Sequence, residues 1–123
     1  MIKKNTSSAI KEYVSGALVG GFQRLEEGVL EDALENPEEC RRETGISPRG
    51  LRNIAQVGIM FDLWMCLKER DPFTSVDEAM EIYAKHLAPV FATFWPPEYE
   101  GIGNLKRRYE VAKRRSLKSF YSN

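Results

Sequence analysis

Histidine is nearly absent from this sequence and cysteine is scarce. Its 123 residues hold one histidine, His86, and two cysteines, Cys40 and Cys66. A structural zinc site draws four ligands, usually from closely spaced Cys and His pairs, and no such spacing occurs. Two cysteines make no disulfide framework, which predicts a reduced, cytoplasmic chain. Cys66 lies in an apolar run and reads as a small core residue, whereas Cys40 sits among charges. His86, among Tyr83, Leu87 and Val90, reads as a partly buried residue rather than a catalytic one. There is no phosphate-binding glycine loop and no nucleophile elbow. The acids at Glu26-Glu27, Glu31-Asp32 and Glu38-Glu39 are adjacent in pairs. Adjacent helical side chains diverge by about 100°, so these pairs do not converge on a di-metal site. The reading is therefore no enzyme, no metal and no cofactor.

Net charge is also missing, with 18 basic side chains against 18 acidic ones. The balance conceals a segregation. Residues 101–123 carry seven basic groups and one acidic, while residues 72–100 carry one basic and five acidic. Such asymmetry fits an acidic partner for the tail, or a tail docked on the protein's own acidic surface. Long hydrophobic runs are few. From Ile54 to Leu67 only Gln56 and Asp62 are polar, but the run falls short of the ~20 residues a bilayer requires. Lys11 and Glu12 interrupt the opening stretch, which predicts no secretory signal.

What remains is helical. Apolar residues recur at helical spacing from Ile10 through Val14, Leu18, Leu25 and Val29 to Ala33, placing a first helix at about 8–34. Gly16 and Gly20 share one face of it, where another backbone could pack closely. Asn36-Pro37 suits an N-cap followed by the first helical position, and Gly45 ends a short second helix at about 37–44. Ser47-Pro48 starts the long third helix, which ends near Arg70; being apolar nearly all round, it reads as the enclosed axis of the domain. Ser75 and Glu78 have capping-box spacing before a fourth helix at about 76–94, which Pro89 should kink or interrupt near Ala88. A basic last helix occupies about 104–120, with Leu105, Tyr109, Ala112 and Ser116 along one face. The expectation is a single all-α domain over 1–123, a bundle of about five helices around the helix at about 48–70.

Two features point to nucleic acid. From Pro37 to Gln56, a short helix, a Gly45-Ile46-Ser47 turn and a second helix leave Pro48, Arg49, Arg52 and Asn53 at an exposed tip. Arginine can bond guanine in bidentate fashion and asparagine adenine, while Arg41 and Arg42 are placed to hold phosphates. The stretch resembles the helix-turn-helix superfamily of bacterial and phage transcription regulators over about 20 residues. It departs from the pattern at Arg41, where a small residue is usual, and at Thr44, where an apolar one is usual. The resemblance implies a small DNA-binding regulator, of the size common in phage or mobile elements, working as a homodimer on two half-sites. The second feature is a repeat seven residues apart, Lys106-Arg107-Arg108 and Lys113-Arg114-Arg115, followed by Lys118. These could meet backbone phosphates with little sequence preference. Two other readings remain open: a protein-interaction module, such as an adaptor or an inhibitor of a host protein, and RNA or membrane-surface binding by the basic helix alone.

Overall fold

A computed structural model describes residues 27–121. The first helix is seen there only as α1, Glu27–Glu35; its expected earlier part, with the Gly16–Gly20 face, lies outside the described residues. α2 spans Pro37–Thr44, α3 Pro48–Arg70 and α4 Val76–Ile82; a π-helical turn, Tyr83–Leu87, leads directly into α5, Ala88–Phe94, and α6 spans Leu105–Tyr121. The fold is an all-helical small bundle, with no strand among the described residues.

Local chemistry sets the helix ends. Ser47 Oγ accepts from the Gly50 N–H at 3.1 Å and Ser75 Oγ accepts from the Glu78 N–H at 3.1 Å, each satisfying one of the donors a helix leaves open at its start. Asn36 departs from expectation. It makes no side-chain cap for α2; its Nδ2 reaches back 3.3 Å to the Asp32 carbonyl and closes α1 instead.

The interruption expected from Pro89 near Ala88 takes the form of the π-helical turn, after which regular α-structure resumes at Ala88. A proline ring collides with the carbonyl four residues back. Here the turn just before it is widened, so that the Ala88 N–H bonds the Tyr83 carbonyl five residues back.

The core joins Leu30, Ala33 and Leu34 of α1, Leu51, Ile59 and Leu63 of α3, Leu87, Phe91 and Trp95 around α5, and Leu105, Tyr109 and Ala112 of α6. Here α3 corrects the sequence expectation. It is not enclosed all round, since its buried stripe is Leu51, Ile54, Ala55, Ile59 and Leu63, while Met65 and Cys66 are exposed. Cys66 is therefore no core residue, and Cys40 is the fully buried thiol. Both are free. The two polar residues of the apolar run are each partnered. Gln56 Oε1 accepts from the Tyr83 hydroxyl at 2.9 Å, and Asp62 pairs with Lys113 at 3.8 Å. Among the described residues, no helix is long and apolar enough to cross a membrane.

Candidate nucleic-acid interface

The turn between α2 and α3 is built by three residues. Gly45 adopts φ 79°, a left-handed conformation that glycine enters without steric cost, and its N–H bonds the Arg41 carbonyl at 2.8 Å. Thr44 Oγ1 donates to the Cys40 carbonyl at 2.6 Å and accepts from the Ile46 N–H at 3.0 Å. The hydroxyl thus fastens both sides of the turn. Ile46 packs on the core cluster, and its Cγ2 would lie 2.9 Å from a Cβ placed on Gly50. The chain needs glycine there because Ile46 fills the space. Beyond the turn, α2 packs chiefly on α1, and α3 packs on α1, α4 and α6.

Around this turn Arg41, Arg42, Arg49 and Asn53 are exposed. Arg49 and Asn53 are one turn apart, so they share a face of α3. α2 has acids Glu38 and Glu39 in its first turn and Arg41 and Arg42 in its last, where the exposed Glu43 stands beside them. The first turn of α3 contains no acid.

Arg52 is withdrawn from this tip, contrary to the expectation that it reads bases. It is 8% exposed, its Nε donates to the Trp95 carbonyl at 2.9 Å, and its guanidinium lies 5.2 Å from the centre of the Phe91 ring. Burial disfavours its charged form and lowers its pKa, with Tyr83 and Glu98 acting in the opposite sense. The periodicity of α3 accounts for this. Position 52 is in line with Ala55, Ile59 and Leu63, all buried.

The basic helix α6 is part of the bundle, docked through Leu105, Tyr109, Ala112 and Ser116. Its two basic triplets are divided in the same way. The first members make ion pairs, Lys106 with Glu35 at 3.6 Å and Lys113 with Asp62 at 3.8 Å. The third members lie over aromatic rings, Arg108 3.8 Å from the Tyr99 centroid and Arg115 5.6 Å from that of Phe94. Arg108 Nη1 also donates to the Phe94 carbonyl at 2.8 Å, while its shielded Nε finds no acceptor among the described residues. Arg52 and Arg108 thus take the consecutive carbonyls of Trp95 and Phe94 and close the C-terminal end of α5, where the helix dipole favours cations. Arg115 is exposed as well, and so are the middle members, Arg107 and Arg114, with Lys118. At spacings of seven and four residues Arg107, Arg114 and Lys118 form one outward stripe. Lys106, Arg108 and Lys113, expected as phosphate contacts, are half-buried and have partners within the chain.

His86 is exposed rather than partly buried. Among the described residues no group of His, Cys, Asp or Glu could hold a metal ion. Phe91 is in the core and Phe94 packs against it, and no sequence signal tied either ring, or Tyr99, to an arginine. No known protein family, curated protein or solved structure matches the chain.

Proposed function

We propose that this protein is a small DNA-binding regulator in which phosphate contacts supply most of the affinity and a reduced set of side chains reads bases. The observation that carries the reading is the exposed cluster of Arg41, Arg42, Arg49 and Asn53 about a fastened glycine turn, at a helix start free of acid. Arg49 and Asn53 are the base readers. Arg41 and Arg42 hold the backbone, and the Arg107–Arg114–Lys118 stripe adds a second, sequence-independent contact. Selection from a random duplex library tests this. The wild-type protein should enrich a defined motif, and Arg49→Ala combined with Asn53→Ala should lose the enrichment while still shifting DNA at low salt. Absence of any duplex binding at low salt would end this reading.

A further inference from the structure

The loop that joins the two cationic surfaces carries charge of the opposite sign. From Pro96 to Asn104 it holds two acids, Glu98 and Glu100, and no lysine or arginine. Both acids are exposed. The loop leaves α5 at Trp95, whose carbonyl accepts from Arg52 Nε at 2.9 Å. Arg52 is next in sequence to Asn53 and three residues from Arg49, both exposed. The loop enters α6 at Asn104, whose carbonyl accepts from the Arg108 N–H at 3.0 Å, beside the exposed Arg107. One end therefore lies at the α3 tip and the other at the head of the outward stripe.

The start of the loop is held in shape. Pro96 and Pro97 each fix one backbone torsion. The Tyr99 N–H donates to the Pro96 carbonyl at 3.1 Å, closing a turn around Pro97 and Glu98. The Tyr99 ring is itself pinned, with the Arg108 guanidinium 3.8 Å from its centre. Glu98 thus sits on a closed turn three residues beyond the carbonyl that Arg52 holds. Burial lowers the pKa of Arg52, and Glu98 is near enough to act against it, as Tyr83 does. The carboxylate is within electrostatic reach of the α3 tip.

We propose, resting on the DNA-binding role above, that Glu98 and Glu100 are specificity-determining residues that act by repulsion. A duplex presents one negative charge per ~1.7 Å of its axis. A matched duplex is fixed by Arg49 and Asn53 and passes from tip to stripe on one path. An unmatched duplex is held by phosphate contacts alone and takes many paths, and those that cross the loop bring phosphates against the two acids. Like charges so juxtaposed cost affinity. A cost that falls mainly on wrong partners is discrimination.

Fluorescence anisotropy with two duplexes tests this: the motif that the wild-type protein selects from a random library, and a scrambled duplex of equal length. Glu98→Gln with Glu100→Gln should tighten scrambled binding by about fivefold and motif binding by less than about twofold, so the ratio of the two affinities falls. Glu98→Lys should also lower the ratio. Glu69→Gln with Asp77→Asn removes the same charge at the far end of α3, where Glu69 is about 30 Å from Arg49. It should leave the ratio unchanged, whatever it does to the two affinities together. A ratio that stays at the wild-type value in the Glu98/Glu100 variant, or falls equally in the Glu69/Asp77 variant, overturns the role of the loop and leaves DNA binding standing. A wild-type protein that binds no duplex, or selects no motif, defeats the DNA-binding role and the role of the loop together.

Discussion

Arg49 and Arg52 are three residues apart, and helical geometry gives them opposite fates. Arg49 faces solvent, whereas Arg52 lies in register with Ala55 and Ile59 and must find its partner inside. Its hydrogen bond to the Trp95 carbonyl is charge-assisted and shielded. Arg52→Met should cost about 2–3 kcal/mol in denaturant unfolding, because it leaves that carbonyl unpaired. Arg49→Ala should change stability by no more than about 0.5 kcal/mol. Two other buried groups set the alkaline limit of stability. Burial pushes the Cys40 thiol above its ordinary value of 9.0, against the Thr44 hydrogen bond, and raises the Tyr83 hydroxyl above its ordinary 10.0, with Arg52 opposing. In both, the folded state keeps a proton that the unfolded chain releases, so stability is full below the unfolded value and falls as pH rises beyond it. The melting temperature should begin to fall near pH 9 and more steeply past 10. Tyr83→Phe should flatten the steeper part, at a cost of about 1 kcal/mol near neutral pH for the lost bond to Gln56.

Helix boundaries were the most legible elements, because capping chemistry is local. Pro37, Gly45, Ser47-Pro48 and Ser75 mark α2, α3 and the start of α4 where the structure has them. The π-helical turn before Pro89 was not legible, since a widened turn has no composition of its own and answers to packing on both sides. The partial exposure of α3 was hidden for a related reason. A run such as Met60 to Cys66 is apolar at every position but Asp62, so periodicity cannot say which stripe is covered. Where the turn is concerned, the geometry makes a sharp prediction. Gly50→Ala would gain up to ~1 kcal/mol of helix propensity but overpacks against Ile46, at a cost of about 1–3 kcal/mol. It should therefore destabilise on balance, and Ile46→Ala should make the same substitution better tolerated in a double-mutant cycle.

At the scale of the molecule, the charge segregation visible in the sequence becomes a division of labour. Part of the basic excess of α6 holds the bundle together through Glu35, Asp62, Tyr99 and the end of α5, and part faces outward. Composition could not distinguish these roles, because each triplet is a run of like charges and only the register of its members against Leu105, Tyr109 and Ala112 separates them. Removing α6 should unfold the domain, as it takes three buried core residues with it. Arg107→Gln with Arg114→Gln and Lys118→Gln should leave thermal stability nearly unchanged and lower DNA affinity without altering the preferred motif.

The most direct test of the proposed DNA binding is duplex affinity across a salt series. Each phosphate neutralised contributes a slope of about −0.9 to the logarithmic salt dependence, so the six cations proposed to meet DNA, Arg41, Arg42, Arg49, Arg107, Arg114 and Lys118, allow a slope of about −3 to −5. Arg52→Met, if folded, should keep that slope, and the Arg107/Arg114/Lys118 variant should reduce it. A salt-independent affinity, or no binding at the lowest salt, would contradict the proposed DNA binding.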